Sequence, residues 1–316
     1  MAVTDDRPVV VTGASGFVGG ALVRRLQREG VPVRAVVRTH GRGGPEALVG
    51  PALGPEADWS RLLAGAGAVV HAAAHVHVEA ADTGAARLAF RRANVEGTRS
   101  LAQQAADAGV RRFVFISSIG VNGRRTKHPF TEDDAPAPEG PYADSKLEAE
   151  RALCEVAQRA GMEWVVIRPP LVYGPAAPGN FARLVRWVAR GVPLPLGAVR
   201  NRRTLVAIDN LTDLVLTCLR SDSAANEVFL AGDAESLSTP DLLRIVAKAQ
   251  GRTARLVPVP PVLLRAAAVL IGRLADAERL CGDLEVDIGK ACRVLHWTPP
   301  LSAREALRRA VTETAP

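Results

Sequence analysis

Tyr142 and Lys146 stand four residues apart in the run Tyr142-Ala143-Asp144-Ser145-Lys146. On a helix that spacing puts both side chains on one face, one turn apart. A tyrosine hydroxyl ionises at about 10 in water, too high for a base at neutral pH. An ammonium group one turn away is expected to lower that value by favouring the phenolate. Ser118 follows an expected buried strand over 112–117, where its hydroxyl can reach the same substrate oxygen. The three form a proton-transfer set for a carbinol or ketone beside a hydride carrier. A lone Tyr-x-x-x-Lys is most often an ordinary helix surface; here its order behind a glycine turn and a strand-end serine carries the catalytic reading.

That glycine turn is Val9-Val10-Val11-Thr12-Gly13-Ala14-Ser15-Gly16-Phe17-Val18-Gly19. A β-branched run leads into glycines at three-residue spacing, and an amphipathic segment follows. The pattern reads as strand, tight turn and helix N-terminus. Backbone without Cβ atoms can approach a pyrophosphate there, and the helix start offers free N–H groups.

Apolar residues at 18, 22 and 26 give a first helix over 17–29, which Gly30 ends. A strand over 31–37 closes a βαβ unit. In dinucleotide folds an acid after this strand favours NAD, whereas an arginine accommodates a 2′-phosphate. Arg38 stands there, with Arg42 close by and no acid, which points to NADP(H), with NAD(H) the alternative. Residues 39–56, rich in Gly and Pro, read as a loop, and a short helix begins at Asp58. A buried strand is expected over 68–74, a long helix carrying Asn94 over 87–108, and a strand over 112–117. A helix then runs from Tyr142 to about Arg159, and a strand over Glu163–Arg168 is stopped by Pro169 and Pro170. Repeated strand–helix order means a parallel, doubly wound α/β sheet of Rossmann type over residues 1–168. Residues 169–316 lack a second such unit. Their short helices and brief strands, at 203–208, 227–230 and 254–257, suggest a smaller C-terminal α/β lobe that binds substrate, with segments free to cross between the two.

The 316 residues are enough for a large core; 47% are apolar but only 4% aromatic, a mix that suits helix-covered parallel strands. The formal charge of +7 is spread along the chain, which does not imply nucleic-acid binding and fits a phosphorylated small molecule. Cys154, Cys218, Cys281 and Cys292 form no Cys-x-x-Cys pair and read as reduced intracellular thiols. The N-terminus, with Asp5, Asp6 and Arg7, does not read as a signal peptide, so a cytoplasmic protein is expected. His71, His75 and His77 lack a partnering Cys or carboxylate set, so no metal site is expected. The apolar segment 261–274 is short for a bilayer span and carries Arg265 and Arg273. Of a surface membrane helix and a packed lobe helix, the second is the preferred reading.

These motifs together resemble the extended short-chain dehydrogenases/reductases, within the nucleotide-sugar epimerase/dehydratase family, over nearly the whole chain. Residues 12–19 match its TGxxGxxG, Asp58 stands where its acid contacts adenine, and His71-Ala72-Ala73-Ala74 resembles its fourth-strand alanine motif. Asn94-Val95-Glu96-Gly97-Thr98 matches NVxGT, Tyr142 and Lys146 match YxxxK, and residues 168–175 match RPxxVYGP. Arg203 and Asn180 resemble the arginine and asparagine that hold the sugar-nucleotide diphosphate. The resemblance implies a catalytic set of Ser118, Tyr142 and Lys146. It implies cofactor contacts at Gly13, Ser15, Gly16, Phe17, Val18, Gly19, Arg38, Asp58, Ala72, Ala73, Asn94 and Pro169, besides Tyr142 and Lys146, and substrate contacts at Ser118, Asn180 and Arg203. It also implies a homodimer through a four-helix bundle built from the helices around Asn94 and Tyr142.

Three departures bear on the reaction. The Asp-Glu pair with which the family's 4,6-dehydratases eliminate water is Ile119 and Gly120 here, so elimination is not supported. The frequent Asn of RxxNVYGP is Leu171, and Arg38 replaces the acid of an NAD-retaining epimerase. The chain resembles the UDP-glucose 4-epimerase-like branch of surface-polysaccharide synthesis, which includes reductases making UDP-N-acetylquinovosamine; residues 181–197 resemble that branch. A 4-ketoreductase is the preferred reading and a UDP-hexose 4-epimerase the alternative. A non-catalytic NADP-binding protein and a reductase of small non-nucleotide carbonyls stand further off.

Overall fold

The computed structural model describes residues 6–41, 44, 46–76, 83–270, 272 and 274–313. Asp5, Arg42, His77 and Arg273 lie outside the described residues. The chain runs β1 (Val9–Thr12), α1 (Phe17–Arg28), β2 (Val33–Val37), β3 (Leu48–Val49), α2 (Ser60–Leu63), β4 (Ala68–His71) and α3 (Gly84–Phe90). It continues through α4 (Gly97–Asp107), β5 (Arg112–Ile116), α5 (Pro141–Ala160), β6 (Glu163–Arg168), β7 (Leu171–Tyr173), α6 (Asn180–Ala189), β8 (Leu205–Ala207), α7 (Ile208–Arg220) and β9 (Glu227–Leu230). Five helices complete the chain: α8 (Thr239–Ala249), α9 (Pro261–Leu270), α10 (Leu274–Cys281), α11 (Gly289–Leu295) and α12 (Ala303–Thr312).

Seven strands form one parallel sheet in the order β3-β2-β1-β4-β5-β6-β9. Its central strands are apolar on both faces because helices cover both, so Val10 and Val11 pack into opposite cores. Helices α1 and α7 cover one face, and α4 and α5 the other. The strand order turns back between β1 and β4, the place where a parallel sheet opens a crevice at its carboxyl ends. A second, two-stranded parallel sheet, β7 with β8, carries a separate core with α6, α8 and α12.

Five details depart from the sequence expectations, the first being that residues 254–257, expected as a strand, form none and meet Leu194 only through an isolated bridge at Leu256. The strand expected over 68–74 pairs only to His71, after which the alanines turn away. Residues Leu48 and Val49, expected in a loop, add a short exposed edge strand beside β2. The helix expected over 87–108 is interrupted by a π-helical turn, Arg91–Glu96. Residues 227–230, expected in the C-terminal lobe, pair with β6 and close the main sheet. Helix α7 and the segment around Trp297 also pack into the main-sheet core, so the chain crosses between the lobes after residue 169.

His71, at the end of β4, is fully buried between two threonines. Thr12 Oγ1 lies 2.7 Å from its Nδ1 and Thr98 Oγ1 3.1 Å from its Nε2. Its ring stacks on Phe115. Both nitrogens therefore serve the join between β1, β4 and α4. Burial, assisted by the nearby Lys146 charge, depresses its pKa to about 3. The unfolded chain takes up this proton as pH falls through about 6.5, and the folded chain does not until about 3. His71 should therefore cost stability progressively across that window, on the order of 1.4 kcal/mol per pH unit. Denaturant unfolding of His71→Gln from pH 7 down to 3 should show a shallower loss than the parent chain; parallel curves would remove His71 from the acid sensitivity.

Candidate active site

The glycine turn is shaped by two close approaches. Gly13 has φ +71°, and a Cβ on it would lie 2.8 Å from the Ala73 amide nitrogen. A Cβ on Gly19 would lie 2.2 Å from the Gly13 carbonyl oxygen, so only glycine lets α1 start this close to the turn. Thr12 Oγ1 accepts from the Ala73 N–H at 3.3 Å, which fastens the loop after β4 to the end of β1. Ala72 and Ala73 thus form the opposite lip of the turn. Helix α1 has Gly16 at its N-cap, no side-chain cap and no acid in its first turn. Exposed Ser15 and Gly16 leave that N-terminus open to an anion, the donor set a dinucleotide pyrophosphate requires. Arg38 is exposed one residue past β2. Asp58 is exposed, and its Oδ1 accepts from the Ser60 amide and hydroxyl at 2.9 and 2.6 Å, which holds its carboxyl below the usual range.

The π-helical turn explains Asn94. An extra residue in the turn swings this side chain into the protein, where it is buried. Its Oδ1 accepts from the His75 N–H at 2.7 Å, and its Nδ2 donates to the His75 carbonyl and to Ser145 Oγ, both at 3.0 Å. Ser145 Oγ in turn donates to the Tyr142 carbonyl at 2.8 Å. Asn94 therefore ties the loop after β4 to the first turn of α5, the turn that carries Tyr142.

Ser118 and Tyr142 line one cavity, and Lys146 reaches the end of β5 from the same helix as Tyr142. Ser118 caps a short 3₁₀ turn, Ile119–Val121, and its Oγ accepts from the Gly120 N–H at 3.1 Å. A Cβ on Gly120 would lie 3.3 Å from Ser118 Oγ and 3.5 Å from the Ala143 Cβ, so the turn packs against the start of α5. The Pro169 carbonyl accepts from the Ile119 N–H at 2.9 Å, which joins the loops after β5 and β6. Tyr142 sits edge-on to Phe90. Burial pushes its phenol up to about 12, the reverse of the lowering expected from Lys146. Lys146 is buried, its Nζ donates to the Ile116 carbonyl at 2.8 Å, and it stands 3.9 Å from the Phe115 ring centre. Burial lowers its pKa to about 7, with Glu150 acting in the opposite direction.

Glu150 is one of two residues that sequence reading missed. It follows Lys146 by four residues, as Lys146 follows Tyr142, so helical spacing alone would have found it. Its carboxylate accepts from Arg168 through two nitrogens, at 3.0 and 2.6 Å, and from Ser117 Oγ. Arg168 also donates to Asn122 Oδ1 at 3.0 Å. All four residues are buried. This network fixes α5 to the ends of β5 and β6, where the three proposed catalytic side chains emerge.

Ser118 and Tyr142 line a cavity of about 640 Å³ that also reaches Leu171, Asn180, Arg203 and Arg279. Arg203 is held by an isolated bridge to Leu237 and donates to the Gly282 carbonyl at 3.0 Å. Burial depresses its pKa, with Asp283 opposing and Arg279 reinforcing. Arg279 on α10 was not singled out in the sequence, because only the fold brings α10 back to this cavity. Asn180 starts α6 and accepts from Arg183 at 2.9 Å. An adjoining apolar cavity of about 530 Å³ shares Leu171, Asn180, Arg203 and Arg279 and is walled by Trp187, Leu194 and Leu264. The segment 130–141, which leads into Tyr142, is fastened: Phe130 exchanges backbone hydrogen bonds with Glu285 and Asp287, and Ala137 donates to Val121.

Residues 9–232 match the model of the NAD dependent epimerase/dehydratase family. A Vibrio cholerae protein named UDP-glucose 4-epimerase is 39% identical over 310 residues, 96% of this chain and 94% of that one. The fold is similar to that of UDP-glucuronic acid 4-epimerase from Bacillus cereus in complex with NAD, at TM-score 0.78 and 22% identity over 97% of this chain and 98% of that one. It is also similar to RMD from Pseudomonas aeruginosa complexed with NADPH, at TM-score 0.75 and 22% identity over 98% of this chain and 99% of that one.

Glu150→Ala should leave the Arg168 guanidinium buried without its counter-charge and cost about 3–5 kcal/mol of stability. Urea unfolding measures this directly; a change within the error of the parent value would mean the network does not hold α5 in place.

Proposed function

The chain belongs to the NAD dependent epimerase/dehydratase family, and from that premise we propose that it transfers a hydride at C4 of a UDP-linked sugar. The preferred reaction is reduction of a UDP-4-keto-6-deoxy-N-acetylhexosamine, in surface-polysaccharide synthesis. One observation carries the reading: Ser118 and Tyr142 share a single cavity with Asn180, Arg203 and Arg279. Guanidinium groups suit the doubly anionic diphosphate at one end, and the hydroxyl pair suits a carbonyl at the other.

The residues divide the work as follows. Arg203 and Arg279 hold the diphosphate, with Asn180 beside them. Ser118 donates a hydrogen bond to the C4 oxygen and orients the carbonyl. Tyr142, kept protonated by burial, gives its phenolic proton to that oxygen as the alcohol forms. Lys146, fixed to the Ile116 carbonyl beneath, stabilises the phenolate left behind. The turn over residues 13–19, Ala72, Ala73 and Pro169 would hold a nicotinamide dinucleotide across the crevice, with Asp58 at the adenine and Asn94 bracing the site. When bound, that group supplies the hydride. Exposed Arg38, with no acid beside it in sequence, supports NADPH over NADH.

The Vibrio cholerae relative supports a second reading, 4-epimerisation, in which the same residues serve oxidation and then reduction and the cofactor is retained. Under the preferred reading each 4-keto sugar consumed oxidises one equivalent of NADPH, followed at its absorbance. Conversion of UDP-glucose or UDP-N-acetylglucosamine to its C4 epimer with no added reductant would overturn it in favour of the epimerase.

Two substitutions separate the roles. Tyr142→Phe should lower kcat by about 10²–10⁴ while NADPH affinity, read by fluorescence titration, stays at the parent value. Arg203→Ala should weaken UDP binding by roughly 10- to 150-fold, the loss of a charge-assisted contact of about 1.5–3 kcal/mol, without changing NADPH binding. Undiminished UDP affinity in that variant would remove the main support for a diphosphate-linked substrate.

A further inference from the structure

Residues 242–275 carry six bases, Arg244, Lys248, Arg252, Arg255, Arg265 and Arg273, and no acid. Arg244 is paired with Asp241. Lys248, Arg252, Arg255 and Arg265 are exposed. Helix α9 crosses this basic stretch and divides its side chains sharply. Leu264 and Ala268 turn inward and form part of the wall of the apolar cavity. Val262, Leu263, Val269 and Leu270 turn outward and are 71%, 59%, 58% and 87% exposed. Val262, Ala266 and Leu270 fall in one line along the helix, flanked by Leu263, Ala267 and Val269, with Arg265 at the border of this apolar face. No helix among the described residues is long and apolar enough to cross a membrane.

We propose that α9 seats the C-terminal lobe on an anionic phospholipid surface. The outward apolar face enters the boundary between headgroups and acyl chains, and the surrounding bases meet the lipid phosphates. Exposed apolar side chains alone would fit a second protein equally well. The run of bases without an acid between residues 242 and 275, most of them exposed, selects an anionic partner extended enough to meet several bases at once. Arg265 at the border of the apolar face is placed to run its stem along that face and keep its guanidinium at the phosphates. This docking does not depend on the reaction proposed above. Because Leu264 and Ala268 of the same helix wall the apolar cavity, a docked α9 would place that cavity one helix away from the lipid.

Flotation of the full chain with vesicles tests the proposal. Vesicles of phosphatidylcholine mixed with phosphatidylglycerol should carry the protein at low ionic strength at least roughly ten-fold better than vesicles of phosphatidylcholine alone, and added salt should release it. The double variant L263D/L270D should lose vesicle binding and keep both its thermal unfolding and its turnover, since neither residue is placed in the site. The milder V262S/L270S repeats the comparison if the aspartates disturb the fold. Failure of the parent chain to float with the anionic vesicles would overturn the proposal. So would equal flotation by both double variants, or a parent chain that self-associates through this face and becomes monomeric when it is substituted.

Discussion

Everything at the hydroxyl end of the site hangs on the carboxylate of Glu150. It is buried, and it is tolerated there because Arg168 and Ser117 satisfy it and Asn122 satisfies the remaining arm of the arginine. A buried charge pair contributes little net stability, since desolvation opposes the attraction. Its value is geometric. Glu150 lies on α5, Arg168 ends β6, Ser117 follows β5, and Asn122 lies in the loop that Ser118 opens. Each member loses its partner if any one of these elements shifts. The same carboxylate opposes the loss of charge on Lys146, one turn away. Positioning and electrostatics therefore come from a single group.

The cofactor end depends on a different constraint, the absence of side chains. Gly13 sits against Ala73, and Gly19 against Gly13, at distances that no Cβ permits. These contacts bring the loop after β1 and the loop after β4 together where the strand order reverses. Thr12, His71 and Thr98 then lock the strands below by hydrogen bonds between side chains. Asn94 links this half to the other, since it holds both the loop after β4 and the turn that carries Tyr142. The two halves of the crevice are thus coupled through one amide on a π-helical turn.

Much of this was legible in the sequence because parallel strands buried on both faces leave near-continuous apolar runs. The strands at 9–12, 163–168 and 227–230 and the helix carrying Tyr142 and Lys146 fall where the periodicity puts them. What escaped depends on contacts between distant segments. The membership of Glu227–Leu230 in the main sheet follows from its pairing with β6, not from its own residues. Arg279 reaches the cavity only because α10 returns to it, and the edge strand at Leu48 and Val49 is too short and too exposed to leave a pattern. The direction of the Tyr142 shift was also hidden. Helical spacing places Lys146 on the same face but says nothing of the burial that raises the phenol, or of the Ile116 carbonyl and Phe115 ring that engage the ammonium.

The return of the chain to β9 has a consequence for how this molecule is partitioned. Residues 169–204 leave the main sheet, and 227–230 come back to pair with Val165–Arg168 along the full register. The C-terminal lobe is thus laced into the sheet, and no single cut frees one half. A fragment ending at residue 168 would present the backbone of β6 as a raw edge, with the N–H and C=O groups that β9 now engages open to any neighbouring strand. It would also lack α7 and Trp297, which fill the core beside α1. The two lobes therefore share one sheet and one core, and swapping substrate lobes between relatives would require a junction on each side of β9.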